Sequence, residues 1–191
     1  MIRFNKTCLT LLLLLIVLIL SFFVVRFSMK QYYTNVYPTK YEEYVVKYAT
    51  AYDVDVNLVY AIIHTESSFV TDAESNVKAR GLMQIMEDTF EWAKNRMQDE
   101  TQISYDDLYD AETNIKYGTY ILNLLLDEFK TEDTAIAAYH AGWGNVKKWL
   151  KDPEKSKDGT HINAIPFHDT DEYVAKVKQT KQVYEHLYNT P

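Results

Sequence analysis

Residues 56–69 have the sequence VNLVYAIIHTESSF, and their pattern indicates a helical domain. Apolar side chains recur every three or four residues, which predicts a helix over Val56–Ser67 with Asp55 as its N-cap. Glu66 follows Ile62 by one helical turn, so its side chain starts on the apolar side of this helix. Spacing alone leaves two interpretations open: an ordinary exposed carboxylate at a helix end, or a carboxylate kept on the apolar face for a chemical purpose.

Helical periodicity continues on both sides of this stretch. Helices are predicted from Tyr41 to a break at Asp53–Asp55, at Asp88–Met97, at Asp110–Phe129 and at Thr134–His140, the last with a capped start at Thr131. A short turn is predicted in Asn145–Lys151, and a last helix, capped by Asp169 or Thr170, extends to Tyr188. The polar stretch Thr71–Arg80 lacks periodicity and predicts a loop that ends at Gly81. The sequence has no useful strand-like alternation and no repeat, so the domain is predicted to be all-α.

The N-terminal region has a different character. Leu9–Val25 is an almost unbroken apolar run with basic residues on both sides, which predicts a single transmembrane helix at the short end of the usual length. A cleaved signal peptide is the alternative, but the run lacks a small-residue cleavage triplet. Basic residues on both flanks leave the orientation undecided. The predicted organisation is a short cytoplasmic N-terminus (1–8), an anchor (9–25), a stalk (26–40) and a folded domain (41–188).

Charge and cysteine content exclude several kinds of partner. The chain has 20 Lys and Arg against 27 Asp and Glu, and the first 30 residues hold four basic and no acidic side chains, so the remainder is strongly acidic. A nucleic-acid partner is therefore not expected. Cys8 is the only cysteine, and no two histidines have a metal-ligand spacing, so we predict no disulfide, no metal site and no cofactor.

Five short motifs stand apart from the helical background. They are Glu66-Ser67, Gly81-Leu82-Met83-Gln84, Asn114-Ile115-x-x-Gly118, Ala138-Tyr139-His140-Ala141-Gly142, and Ile165-Pro166 followed by Thr170 and Tyr173. This order resembles the soluble lytic transglycosylase (SLT) family, whose catalytic domain is similar to goose-type lysozyme. The resemblance covers residues 41–188. Each motif alone is weak, whereas five in order are specific, and the fold they imply is an all-α, lysozyme-like domain.

The resemblance implies cleavage of the β-1,4 bond between N-acetylmuramic acid and N-acetylglucosamine in peptidoglycan, with a 1,6-anhydro product. Glu66 would be the catalytic acid and then the base toward the 6-hydroxyl, helped by the substrate's own N-acetyl group. The chemistry agrees, since protonating a glycosidic oxygen near neutral pH needs a raised pKa, and an apolar surrounding raises the pKa of a carboxyl. No second carboxylate is then required, and Asp72 and Glu74 are expected to face solvent.

The resemblance also assigns substrate-binding roles to Ser67, Met83, Gln84, Tyr139, His140 and Tyr173. Ser67 would orient the acid or the neighbouring sugar, Met83 and Gln84 would line the cleft, and Tyr139 would support the sugar site. Tyr173 would hold the Glu66 carboxyl through its hydroxyl, because a buried phenol and a buried acid satisfy each other.

Two positions depart from the family pattern. His140 stands where the family commonly has Asn, which would bring a pH dependence near neutrality. Asp171 stands where an Arg is common.

Other notable side chains are expected to be structural. Leu82 and Ile85 are predicted to be core residues, and His64 a packing or surface histidine. Trp92, Trp143 and Trp149 could be sugar platforms, but their helical positions favour packing.

The predicted function is that of a membrane-anchored lytic transglycosylase with its catalytic domain outside the cell, acting on peptidoglycan glycan strands and contacting the membrane through the N-terminal helix. Two alternatives stay open. One is a lysozyme-type muramidase that hydrolyses the same bond. The other is a non-catalytic peptidoglycan-binding module of a cell-envelope assembly, made inactive by the departures at His140 and Asp171.

Overall fold

A computed structural model describes residues 6–188. Its α-helices in chain order are α1 (Lys6–Val36), α2 (Glu42–Ala51), α3 (Val56–Ser67), α4 (Glu87–Met97), α5 (Ala111–Phe129), α6 (Glu132–Ala141), α7 (Trp143–Leu150) and α8 (His168–Tyr188). A short 3-10 helix, Tyr105–Tyr109, precedes α5. Residues 6–188 contain no strand, only isolated bridges at Arg80. The all-α prediction is therefore confirmed.

The chain divides into two structural units with the boundary between Pro38 and Thr39. The first unit consists of α1, in which Leu9–Val36 is long and apolar enough to cross a membrane by length and composition. The helix continues past the predicted anchor to Val36 because neither Gly nor Pro interrupts it before Pro38. Most of the predicted stalk is thus helical. Of the predicted cytoplasmic stretch 1–8, residues 1–5 lie outside the described residues.

In the second unit, α3 is the central helix. The Asp55 carboxylate accepts a hydrogen bond of 2.8 Å from the backbone N–H of Asn57, as an N-cap should. Every residue from Asn57 to Ile63 is buried, so the predicted apolar stripe was too narrow. A helix that is apolar on most sides belongs in a core, and α3 packs between α2 and the long α8.

The other helices complete the domain by packing on one another and on α2 and α8. α5 packs against α2, α4 and α6, and α6 packs against α7 and α8. The predicted starts at Asp110 and Thr131 are confirmed, because each side chain accepts a backbone N–H from the first turn of its helix. The predicted cap of the last helix is wrong. α8 begins at His168, directly after the segment containing Pro166, and Asp169 lies in its first turn, where a carboxylate is favourable.

Candidate active site

Glu66 and Tyr173 meet where the last turn of α3 lies against α8. The Tyr173 hydroxyl donates a hydrogen bond of 2.6 Å to Glu66 Oε1, across 107 residues of sequence. The hydrogen bond predicted from the motifs is therefore confirmed. Tyr173 is 8% exposed, and burial raises the pKa of its phenol well above the usual value, so the hydroxyl keeps its proton.

The Glu66 carboxyl is partly exposed, yet its surroundings are apolar. Burial raises its pKa from 4.5 to about 7, against the weaker opposing effects of the Tyr173 hydrogen bond and the Lys176 charge. Removing a carboxylate from water disfavours its charged form, which accounts for the direction. The raised pKa predicted for this residue is thus confirmed, and near neutral pH both protonation states are populated.

Ser67 connects α3 to the Gly81–Ile85 segment. Its hydroxyl donates to the carbonyl oxygen of Leu82 at 2.8 Å and to that of Ile63 at 3.2 Å. The first of these bonds spans 15 residues of sequence. Ser67 therefore fixes the segment to the end of the helix that carries Glu66.

Asn114 on α5 holds the same segment from the other side. Its side chain is fully buried, accepts from the backbone N–H of Met83 at 2.8 Å and donates to the carbonyl oxygens of Arg80 and Leu108. Gly81 has φ +74°, and a Cβ there would lie 2.2 Å from Asn114 Nδ2. Only glycine gives the backbone this conformation and this close approach at low cost.

Gly118 explains the second half of the Asn-Ile-x-x-Gly motif. A Cβ at this position would lie 2.3 Å from the Met83 sulfur. Met83 was expected to line the cleft, but it is 0% exposed and its side chain lies in the core. The Met83 side chain packs inward because Gly118 has no side chain and leaves a space that the unbranched thioether fills. Its backbone carbonyl still contributes, because it accepts a 2.7 Å hydrogen bond from Tyr139.

Gln84 does line the cleft. It has φ +47°, and its side-chain amide donates to the carbonyl oxygens of Ala73 and Gly81 at 3.1 and 2.9 Å. The amide thus fixes the strained turn from within. Leu82 and Ile85 are buried, which confirms them as core residues.

Tyr139 and His140 at the end of α6 face the same cleft. Burial, with a contribution from the charge of Glu66, raises the pKa of Tyr139 well above its usual value. The His140 ring stacks on Tyr173 with centroids 4.4 Å apart, and its Nδ1 lies 3.1 Å from the Thr170 hydroxyl. Partial burial lowers the pKa of His140.

The cleft has a volume of about 950 Å³ and brings together Glu66, Gln84, Tyr139 and His140. Ser67 and Met83 do not line the cleft: Ser67 bonds to the carbonyl oxygen of Leu82, and the backbone N–H of Met83 bonds to Asn114. The other predicted histidine, His64, is half-buried, and its ring lies 6.3 Å from Phe69 and 6.4 Å from Tyr184.

Two tryptophans that were expected to pack also line this cleft. Trp92 and Trp143 are 37% and 46% exposed, so the packing prediction is wrong for both. It is confirmed for Trp149, which is 6% exposed and lies 5.0 Å from Phe167 in an edge-to-face arrangement. Helical spacing shows on which face of its helix each tryptophan lies, but it does not show whether that face meets another helix or a cleft.

The two loop carboxylates, Asp72 and Glu74, differ in their contacts. Asp72 is exposed, as expected. Glu74 is exposed too, and it pairs with Lys78 at 2.8 Å and Arg80 at 3.2 Å and accepts a hydrogen bond from Tyr109 at 2.7 Å. These partners lower its pKa from 4.5 to about 2, the Lys78 hydrogen bond most strongly. The exposure of Glu74 was expected, whereas its partners were not predicted, because Tyr109 comes from a distant, unpredicted 3-10 helix.

Comparison with known proteins agrees with this geometry. A soluble lytic murein transglycosylase from Salmonella typhimurium is 31% identical over 153 residues, covering 79% of this chain and 24% of that protein. A membrane-bound lytic murein transglycosylase C from Photorhabdus laumondii is 28% identical over 169 residues, covering 77% of this chain and 47% of that protein. The solved structure of an inactive mutant of the lytic transglycosylase Slt from Pseudomonas aeruginosa superposes with a TM-score of 0.71 at 30% identity, covering 81% of this chain and 25% of that one.

The chain thus spans about a quarter of the length of the soluble relative. The model of the transglycosylase SLT domain family matches residues 43–162, which is more than half of the chain. The chain therefore belongs to the transglycosylase SLT domain family.

Proposed function

We propose that this protein is a peptidoglycan lytic transglycosylase that cleaves the β-1,4 bond between N-acetylmuramic acid and N-acetylglucosamine and forms 1,6-anhydromuropeptides. One observation carries the proposal: Glu66 lines an open cleft, hydrogen-bonds Tyr173 and has a pKa raised to about 7. The names of the relatives, which are lytic murein transglycosylases, support the same reaction class.

In the first step, protonated Glu66 donates its proton to the glycosidic oxygen. The bond between that oxygen and C1 of the muramic acid breaks, and the N-acetylglucosamine side leaves with a free 4-hydroxyl. The substrate's N-acetyl group stabilises the positive charge at C1. A carboxyl with a pKa near the working pH is suited to this step, since much of it is protonated and it still releases its proton readily.

In the second step, ionised Glu66 accepts the proton of the muramic acid 6-hydroxyl while O6 forms a bond to C1. The anhydro ring closes, no water is consumed, and Glu66 recovers its starting protonation state. The same carboxyl serves as acid and then as base, so the cycle needs no second carboxylate. This differs from the usual pair of carboxyl groups in glycoside hydrolases.

The neighbouring residues have supporting roles in this proposal. The Tyr173 hydroxyl fixes the direction of the Glu66 carboxyl, and Gln84, Tyr139 and His140 contact the sugars from the cleft wall. Ser67 and Met83 act indirectly, through the backbone of the segment that carries Gln84.

We further propose that 9–25 is a membrane anchor, 26–40 a stalk, and 41–188 the catalytic domain outside the cell. The length and apolar character of Leu9–Val36 support an anchor, and the Photorhabdus relative is named as membrane-bound. The substrate determines the orientation, because peptidoglycan lies outside the cytoplasmic membrane.

The reaction is tested by digesting purified peptidoglycan with the full-length protein in detergent and measuring muropeptide masses. We expect products lighter by one water than hydrolysis products, and none from Glu66→Gln. Hydrated, reducible ends would instead identify a muramidase. A wild-type protein that sediments with peptidoglycan without cleaving it would identify a binding module.

A further inference from the structure

Trp92 on α4 and Trp143 at the start of α7 are the two exposed tryptophans of the second unit's described residues, and both border the cleft that contains Glu66. Leaving a large aromatic side chain in water forgoes the stabilisation that burial would provide. Trp149, one turn and a half along α7 from Trp143, is buried and shows that the domain can bury this side chain. Exposed aromatic rings inside a cleft indicate a ligand surface.

Each exposed ring is also held in place by a cation from its own helix. The Arg96 guanidinium carbon lies 5.8 Å from the Trp92 ring centroid, and Lys147 Nζ lies 4.0 Å from that of Trp143. Lys147 is fixed in turn by a 2.5 Å ion pair with Glu128. Such contacts occupy one face of a ring and restrict its rotamers. The rings are therefore preorganised while part of their surface remains open to the cleft.

The remaining lining fits a saccharide. Exposed Val77 and Met86 add apolar surface to the cleft, whereas Asp88 and Asp127 add carboxylates that accept hydrogen bonds from hydroxyl and amide groups. A pyranose ring has the matching character, with C–H groups on its faces and polar groups around its edge. The volume of about 950 Å³ is at the upper end of the range of about 300–1,000 Å³ for ligand sites, which accommodates several sugar rings.

We propose that Trp92 and Trp143 are stacking platforms for N-acetylhexosamine rings of the glycan strand, at positions other than the bond cleaved at Glu66. The identity of the polymer rests on the proposed function, whereas the binding itself does not require cleavage. The two rings act on affinity, so their removal raises KM and leaves kcat largely unchanged.

The test measures binding in the absence of cleavage. Full-length Glu66→Gln protein in detergent is titrated calorimetrically with the hexasaccharide of N-acetylglucosamine. When either Trp92→Ala or Trp143→Ala is added to this protein, binding should weaken about tenfold, which is the scale of one lost aromatic stacking contact. Phe at either position should restore part of the affinity. Trp149→Phe is the matched control and should bind within about twofold of the parent.

The outcomes separate this proposal from the proposed function. The proposal that Trp92 and Trp143 are stacking platforms is overturned if both alanine variants keep the parent's affinity, or if the parent does not bind the hexasaccharide. Weakened binding in the alanine variants supports them even if wild-type protein fails to cleave peptidoglycan, a result that would overturn only the catalytic proposal. Thermal unfolding midpoints of all variants identify any loss of affinity that comes from misfolding.

Discussion

Glu66 and Glu74 are two carboxylates of the same short region, but their environments are opposite. Glu66 lies in an apolar surrounding with a phenol as its direct partner, and its pKa is raised to about 7. Glu74 lies in the next loop among Lys78, Arg80 and Tyr109, and its pKa is lowered to about 2. The residue type is the same and the sequence positions are close, so the environments account for the difference: burial raises the pKa of Glu66, and hydrogen bonds to Lys78, Tyr109 and Arg80 lower that of Glu74.

The two environments serve different purposes. Glu74 is one part of a clamp in which Arg80 also pairs with Asp106 at 2.6 Å and lies 4.2 Å above the Tyr105 ring. The clamp holds the loop before Gly81, where the backbone must turn sharply. Glu66 gains no such ion pair, and its unfavourable ionisation is the property that acid catalysis requires. One carboxylate stabilises the loop, and the other is kept reactive at a cost in stability.

Glu66→Gln should have the largest effect. Without the acid, cleavage of purified peptidoglycan should fall by about 10³-fold or more, within the upper range for loss of general acid catalysis. Glu74→Gln is the matched substitution eight residues away and should retain most of the activity, because its carboxylate stays ionised and paired throughout the reaction. Similar losses in both variants would contradict the distinction between the two sites.

The same substitution should also stabilise the fold. The pKa of Glu66 is about 4.5 in the unfolded chain and about 7 in the folded protein, so its ionisation lowers the free energy of unfolding as the pH rises between these two values. The stabilisation by Gln should therefore be complete above neutral pH and absent in acid. At 1.36 kcal/mol per pKa unit, a rise from 4.5 to about 7 corresponds to a gain of roughly 3 kcal/mol at pH 8. Denaturant unfolding of full-length protein in detergent at pH 4 and pH 8 measures it, and an equal gain at both values would refute the electrostatic origin.

Tyr173→Phe should reduce activity by about tenfold, since the carboxyl loses the contact that directs it. The hydrogen bond to Tyr173 lowers the Glu66 pKa, so its removal should raise that pKa further and move the alkaline limb of the pH–rate profile to higher pH. A profile that keeps its position while the rate falls would show that Tyr173 holds the geometry without tuning the acid. A shift to lower pH would contradict the assignment.

Gly118→Ala tests whether the packing of Met83 against α5 is coupled to the cleft wall at Gln84. The added methyl group collides with the Met83 side chain, and overpacking of this kind costs about 1–3 kcal/mol. The displaced backbone should also lower cleavage by moving Gln84. Adding Met83→Ala removes the sulfur and the terminal methyl group from this contact and leaves only Cβ, 2.9 Å away, so the double variant should recover part of the loss. Strictly additive effects in the double-mutant cycle would exclude the coupling.

Much of this architecture could be predicted from local sequence. The positions of most helices follow from periodicity, and the caps at Asp55 and Thr131 follow from capping chemistry. The pairing of Glu66 with Tyr173 follows from the family resemblance. Apart from that pairing, contacts between distant segments could not be predicted. The motif assigned Met83 to the cleft, but the direction of its side chain depends on the absence of a Cβ at Gly118.

The exposed tryptophans were missed for a related reason. Periodicity places Trp92 and Trp143 on a face of a helix, and nothing in it says whether another helix or a cleft lies opposite. The only local signal is the cation four residues after each of them, at Arg96 and Lys147. Trp149 has no such neighbour, since Pro153 stands at the equivalent position, and Trp149 is the one that is buried.

The smallest expected effect concerns Glu74 itself. A carboxylate with a lowered pKa stabilises the fold above its unfolded pKa of about 4.5, and this contribution disappears as the pH falls through 2. Wild-type protein should therefore melt at a higher temperature than Glu74→Gln at pH 7, and the difference should shrink steadily in acid. The exposed ion pairs are screened by salt, so high ionic strength at pH 7 should reduce the difference as well. Because the Glu66 penalty has the opposite dependence on pH, acid should remove the benefit of one carboxylate and the cost of the other within the same titration. A Glu74→Gln difference that is constant from pH 7 to pH 2 would mean that the clamp is held by the packing of Arg80 on its tyrosines and not by charge.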